Sequence, residues 1–281
     1  MRYLFIDLFI NYRNLGDKFM DMFSRKDLVR LFAPLLVEQL LAVLVGMADV
    51  VMVAAVGETA VSGVALVDSI SVLIIQVLSA MATGGAVVCS QYIGKKKPEQ
   101  ACRAAGQLVL ITAALSLLIA AVAFIGNRHL LRLIFGSVEA SVMDNAQTYF
   151  WFTAMSYPFL ALYNSGAALF RSMGNSKVSM KVSLAMNAIN VAGNALCVFG
   201  LHMGVEGVAI PTLVSRMFAA VVMVILVRSP KNSIRVYSFR QLVPQLDMIG
   251  KILAVGVPSG LENGMFQFGK IALQSLVSTL G

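Results

Sequence analysis

Charge is what this 281-residue chain lacks most: only 13% of its residues are Asp, Glu, Lys or Arg, against roughly a quarter in an ordinary soluble domain. With 58% hydrophobic residues and a mean hydropathy of +0.81, that scarcity excludes a soluble globular fold and points to a bilayer. Cysteine is equally sparse. Cys89, Cys102 and Cys197 show neither paired nor metal-type spacing, so they read as buried or unremarkable surface thiols and say nothing about redox compartment. No nucleophile has a base nearby and there is no nucleotide loop, which excludes an enzyme and leaves no cofactor to place. The Gly84-Gly85 pair in A-T-G-G-A has no strand before it and no Lys-Ser or Lys-Thr after it, so it reads as a point of close helix packing. The 16 methionines read first as core filler, a composition that also suits the walls of a promiscuous pocket.

What is present is a series of apolar runs. Stretches of spanning length fall at about Leu28–Val56, Val61–Ile93, Ala104–Ile125, Asn145–Phe170, Val178–Leu201, Glu206–Val227 and Met248–Leu280, each near or above the roughly 20 residues that a helix needs to cross a bilayer. The first run recurs in the last: Pro34 lies on Pro258, Glu38 on Glu262, Ala48 on Ala272, Val53 on Val277 and Gly57 on Gly281, without a gap. A first spanning helix that returns after five others is the mark of two similar halves, common in secondary transporters. The expected architecture is all-α and polytopic, one six-helix lobe plus a seventh helix that begins a second, repeated lobe. Residues 1–27, aromatic and charged with Asp7 breaking the longest apolar run, form an amino-terminal interfacial segment. Residues 28–228 form the lobe, 229–247 a basic linker bracketed by Pro230 and Pro244, and 248–281 the first helix of a truncated carboxy-terminal lobe.

The net charge of +8 would fit nucleic acid only if it were clustered for that purpose. Instead, all of the 22 Lys and Arg residues except Arg128, Arg132, Arg216 and Lys270 lie in the amino-terminal stretch through Arg30 or in and beside the second, fourth and sixth connections. The positive-inside rule then puts the amino terminus and the even connections in the cytoplasm of a multi-pass inner, or plasma, membrane protein, with lipid and not nucleic acid as its surroundings.

Polar side chains inside such helices are costly and usually face a cavity or a partner. Glu38 and Asp49, eleven residues apart, fall on nearly one face of the first helix, about 16 Å apart along its axis. Asn187, Asn190 and Asn194 form one stripe on the fifth helix, and Thr212 and Arg216 lie one turn apart on the sixth. Counted inward from the helix ends, Asp49, Asn194 and Thr212 share one level, about 8 Å below the outer surface. A carboxylate, an amide carbonyl and a hydroxyl at one depth can hold a small hard cation or keep a proton on the acid. Plain interhelical hydrogen bonding is the alternative role for the amides. Glu38 can equally be a near-interface acid paired with Lys26 or Arg30. Asp68 reads as an interface residue, and Arg216 and Lys270 as neutralisers of neighbouring acids.

Four segments carry a resemblance: G-M-A-D-V-V-M-V-A-A-V-G-E at Gly46–Glu58, S-Q-Y-I-G at Ser90–Gly94, A-L-F-R-S-M-G-N-S-K at Ala168–Lys177 and M-G-V-E-G-V-A-I-P-T at Met203–Thr212. With these the chain resembles the amino-terminal lobe, plus the start of the second, of the multidrug and toxic compound extrusion (MATE) transporters, a family within the larger group of multidrug, oligosaccharidyl-lipid and polysaccharide exporters. The resemblance implies export of amphipathic, often cationic compounds in exchange for sodium ions or protons. It implies a coupling site, sodium included, at Asp49, Asn190, Asn194 and Thr212. Asn194 stands where an aspartate is typical, leaving one carboxylate instead of two and favouring a proton. Phe266 stands where many members carry a glutamate; Glu262, one turn earlier, is its candidate substitute and, with Glu38 and Asn187, makes up a secondary proton or substrate site.

The expected function is thus a cation-coupled antiporter for amphipathic drugs or toxic compounds, this chain being part of it and a carboxy-terminal lobe its partner. The alternatives are a flippase for lipid-linked oligosaccharide or polysaccharide, for which more basic residues inside the helices than Arg216 and Lys270 are expected, and an inactive fragment or non-transporting scaffold.

Overall fold

The computed structural model describes residues 25–136, 138–236 and 238–280; most of the expected interfacial segment, and Gly281 at the end of the recurring stretch, lie outside them. Among the described residues there is no strand. The helices are α1 (Arg25–Ala54), α2 (Glu58–Gly94), α3 (Pro98–Phe135), α4 (Ala140–Ser172), α5 (Ser176–Ala195, continued by a π-helical turn at Leu196–Gly200), α6 (Glu206–Arg228) and α7 (Leu246–Leu280), with a short 3-10 turn at Phe239–Leu242. The all-α, polytopic class expected from the sequence is the one observed. Among the described residues five helices, α1, α2, α3, α5 with its π turn, and α6, are long and apolar enough to cross a membrane. The other two have the length but more polar residues. In α4 those are turned inward, with Thr153, Ser156 and Ser165 all buried.

Local chemistry sets the helix ends. Pro98 opens α3 at a first-turn position, where its missing N–H costs nothing. That helix runs well beyond the Ile125 expected from hydropathy, because G-N-R-H contains no breaker strong enough to stop it and Leu131 packs back fully buried. It stops at Gly136, whose φ of 67° closes the last turn. Arg128 and Arg132 therefore sit on the helix and not in a loop. At the end of α4 the Asn175 N–H donates to the Phe170 carbonyl and the Gly174 N–H to that of Arg171, both at 2.9 Å, with Gly174 at φ 74°. This is the paired closure that glycine makes at a helix terminus.

In lipid the hydrophobic effect does not drive helices together, so close approach through small residues decides the packing. α4 is the hub, in contact with α2, α3, α5 and α6. A Cβ on Gly63 would lie 2.9 Å from the Ala146 backbone of α4, and one on Gly85 would overlap Leu108 of α3. Gly84 meets α7, where a Cβ would come within 2.7 Å of the Gly256 nitrogen and the Ile252 carbonyl. The early part of α7 is therefore seated against α2, with Met248 and Ile252 buried. Between Val257 and Phe266 it turns apolar residues outward: Val257, Leu261, Met265 and Phe266 are all exposed. α1 lies mainly on α5 and presents Leu36, Leu40, Val43, Leu44, Met47 and Val51 to the outside.

One fastening is polar. The fully buried Gln107 of α3 donates through Nε2 to the carbonyls of Gln241 (2.9 Å) and Val243 (2.7 Å), and its Oε1 accepts the Gln245 N–H (2.8 Å). Next to it, a Cβ on Gly106 would overlap the Gln241 carbonyl. The expected linker thus runs in contact with α3 until α7 begins.

Candidate functional site

A cavity of about 400 Å³ opens inside the half of the bundle remote from the basic connections. Its apolar walls include Val45, Val50, Val53, Val64, Leu160, Met186 and Val208, and its polar groups are Asp49, Asp68, Tyr149, Asn187, Asn190, Thr212, Ser215 and Arg216. This combination, a mostly apolar chamber with a few convergent polar groups, is the usual form of a small-molecule site.

The approach of α5 to α6 forms one side of it. A Cβ on Gly193 would come 2.7 Å from the Pro211 Cβ, so only glycine lets the two helices meet there. The neighbours of those two residues are Asn194 and Thr212. Across that contact the Asn190 Nδ2 donates to the Thr212 Oγ1 at 3.0 Å, and the hydroxyl of Thr212 donates to the Val208 carbonyl at 2.9 Å. The Asn194 Nδ2 donates to Asp49 Oδ1 at 2.8 Å and lies 3.5 Å from Asn190 Oδ1. The result is a continuous polar chain, Asp49 to Asn194 to Asn190 to Thr212, across α1, α5 and α6. Asn194 is 0% exposed and its Oδ1 has no hydrogen-bond partner, an unusual state for a buried amide. A π-helical turn follows immediately at Leu196–Gly200; single π turns within α-helices are often found at functional sites.

The second face carries Asp68, Tyr149 and Arg216. Asp68, expected as an interface residue, lines the cavity and accepts from the Tyr149 hydroxyl at 3.4 Å. Arg216 donates through Nη1 to Ser156 Oγ at 2.6 Å and is near enough to Asp49 and Asp68 to interact coulombically with both. Behind them Ser71 and Tyr157 share a hydrogen bond of 3.0 Å. The signal in the sequence was the i, i+4 pair Thr212 and Arg216, which puts the arginine on the face of α6 that carries the threonine. For Asp68 there was none, since hydropathy does not tell which way a residue near a helix end points.

The remaining expected residues separate. Asn187 lines the cavity. Glu38 lies toward the basic end, where it accepts from the Tyr163 hydroxyl at 3.0 Å and from Ser179 Oγ at 3.4 Å; it joins α1 to α4 and α5 and is not part of the cavity lining. Glu262 is exposed on α7, as is Phe266 one turn later. Glu38, Asn187 and Glu262 therefore do not form a common cluster.

A polytopic helical bundle with an apolar chamber and a polar chain buried in its wall has the form of a membrane transporter lobe. Residues 34–196 match the MatE family model, and the chain belongs to the MatE family, whose members are transporters and not enzymes. It is 26% identical over 270 residues to the uncharacterized transporter YisQ of Bacillus subtilis (strain 168), covering 95% of this chain and 57% of that protein. It is 24% identical over 266 residues to the probable multidrug resistance protein NorM of Thermotoga maritima, covering 92% and 55% respectively. Among solved structures it superposes on a multidrug resistance MATE family transporter of the MOP superfamily in an outward-facing conformation, with a TM-score of 0.84 at 21% identity over 91% of this chain and 56% of that one. The chain thus spans somewhat more than half the length of the relatives it matches.

Proposed function

We propose that the chain supplies the first lobe of a cation-coupled exporter of amphipathic compounds. On this reading the cavity is the first-lobe part of the substrate chamber, and Asp49, Asn190, Asn194 and Thr212 bind the coupling ion. The observation that carries it is the polar chain from Asp49 to Thr212, which holds in its middle the buried, unpartnered Asn194 Oδ1. The donor set fits a hard cation: turning the Asn194 amide about Cβ–Cγ replaces Nδ2 by Oδ1 at the Asp49 carboxylate, and Thr212 Oγ1 and Asn190 Oδ1 complete an oxygen cluster. It also fits a proton, which needs only the Asp49 carboxylate, with Asn194 as its hydrogen-bonding neighbour. One carboxylate in place of two favours the proton.

Alternating access in two-lobe transporters is largely one bundle rocking against the other around a site at their interface. The exposed apolar stripe of α1 and the exposed Leu261, Met265 and Phe266 of α7 give a second lobe surfaces to meet. The distribution of basic residues supports an orientation with the amino terminus in the cytoplasm and a plasma-membrane location. Relatives named for multidrug resistance favour drug export over lipid-linked sugar flipping.

The test is Asp49→Asn in the two-lobe protein, assayed in proteoliposomes for efflux of a fluorescent amphipathic cation under an imposed proton or sodium gradient. Gradient-driven efflux is expected to fall to the level of empty liposomes, with the protein still folded. Undiminished efflux removes Asp49 from the coupling site.

A further inference from the structure

At the end of the bundle opposite the chamber, the start of α7 leaves a cleft of about 590 Å³ against the facing ends of α2 and α3. Tyr92 of α2, Gln100 and Arg103 of α3, and Asp247 and Lys251 of α7 line it. Lys251 is held in place there: its Nζ donates to the Tyr92 hydroxyl at 3.1 Å and lies 5.9 Å from the centre of that ring. The hydroxyl accepts this bond, so its own hydrogen is left to donate. Arg103 is exposed and makes no hydrogen bond or ion pair with any described residue, which leaves the whole fork of its guanidinium for a phosphate. Asp247, one turn before Lys251 on α7, does not close an ion pair with it. Between Tyr92 and Gln100 the chain adds Lys95, Lys96 and Lys97, all exposed. Five cations thus stand at this cleft against two carboxylates, Glu99 and Asp247.

The cleft is continuous with an apolar surface. Leu246, which lines it and is 81% exposed, begins a series with Gly250, Leu253 and Val257; the spacing puts the four on one face of α7, and all are exposed. That face leads from the charged cleft along the helix into the membrane. A soluble phosphate has no use for it, whereas an acyl chain does. We infer that the cleft binds the headgroup of an anionic phospholipid, with its phosphate between Arg103 and Lys251, the Tyr92 hydroxyl as a further donor, and a chain along the Leu246–Val257 face. Basic pockets between helix ends are a recurrent form of lipid headgroup site. On the orientation proposed above, the lipid comes from the cytoplasmic leaflet. Because Arg103 belongs to α3 and Lys251 to α7, the bound phosphate ties the start of α7 to the first lobe, beside the Gln107–Gln245 bond.

The test is a titration of the purified chain in detergent with dioleoyl-phosphatidylglycerol or dioleoyl-phosphatidylcholine, bound lipids being counted by native mass spectrometry and folding checked by thermal melting. The two lipids share their chains and differ in net charge. Wild type is expected to retain one phosphatidylglycerol about tenfold more tightly than phosphatidylcholine, the scale of one charge-assisted hydrogen bond. Arg103→Gln and Lys251→Gln should each erase that preference, and Arg103→Lys should keep part of it. Arg128→Gln combined with Arg132→Gln, which removes as much charge from the other end of α3, should leave it unchanged. Glycerophosphate, the headgroup without chains, should not displace the lipid at equal concentration. Equal retention of the two lipids by wild type overturns the inference, as does a preference that survives both glutamine variants or falls equally in the Arg128 and Arg132 control. Displacement by glycerophosphate at equal concentration would make this a site for a soluble phosphate and overturn the lipid. If Arg103→Gln does not fold, Lys251→Gln and the wild-type competition decide the matter.

Discussion

The attachment of residues 238–245 to α3 lends itself to a quantitative test through Gln107. Gln107→Ala removes three hydrogen bonds of 2.7–2.9 Å and leaves two carbonyls and one N–H without their partner. Each such bond contributes about 1 kcal/mol net, and somewhat more when the abandoned group stays dry. Water entering the vacated space returns part of this. The attachment should thus weaken by about 3 kcal/mol, which raises the population of the detached segment roughly a hundredfold. Trypsin sites follow Arg235 and Arg240, and when opening is fast relative to cleavage, the cleavage rate tracks that population. Cleavage between α6 and α7 in the detergent-solubilised protein should therefore speed up by about two orders of magnitude. Gln107→Glu is the discriminating control. It has nearly the same shape, but sets a carboxylate against the Gln241 and Val243 carbonyls, so it should be cleaved at least as fast as the alanine variant. If both variants are cut at the wild-type rate, or if only alanine is affected, directed hydrogen bonding by Gln107 is not what holds the segment.

Other outcomes follow from the same geometry. Gly193→Ala forces a methyl into Pro211 and should destabilise the bundle by about 1–3 kcal/mol, lowering the melting temperature and abolishing cation coupling together; a neutral effect on both would refute the Gly193 contact. Gly84→Leu should part α7 from α2, seen as loss of a cross-link between cysteines engineered at the facing α2 and α7 surfaces, while α1–α6 remain folded. Asn194→Asp places a second carboxylate at hydrogen-bond distance from Asp49. Replacing KCl by NaCl should then raise the melting temperature of that variant more than that of wild type, as expected for an ion that binds the folded state; equal shifts would contradict the proposed donor set.

The helices were readable because lipid imposes one simple rule, about 20 apolar residues for each crossing, and because glycine and proline mark many of the ends. Asp49, Asn194 and Thr212 stood out because they fall at one depth, and Asn190 because it shares the amide stripe of its helix and the resemblance points to it; hydrogen bonds join the four side chains. The other side of the cavity was not. Asp68 and Tyr149 lie on helices whose rotation is set by contacts such as that of Gly63 with Ala146, and sequence spacing within one helix says nothing about what faces it from another. The end of α3 was misjudged for a related reason: hydropathy measures where lipid stops, and a helix need not stop there. Gln107 gave no signal at all, being one amide in an apolar run whose partners lie more than 130 residues further along the chain.

The seating of residues 241–256 on α2 and α3 also bears on biosynthesis. A nascent chain that has inserted only its first six helices still holds Gln107 with three unmet bonds and the Gly84 groove uncovered, both among apolar neighbours. The unit that completes its own packing therefore extends through the polar connector into the first turns of α7. An insertion machinery that released the chain at the connector would release an unfinished surface, one prone to proteolysis and to pairing with whatever helix came next.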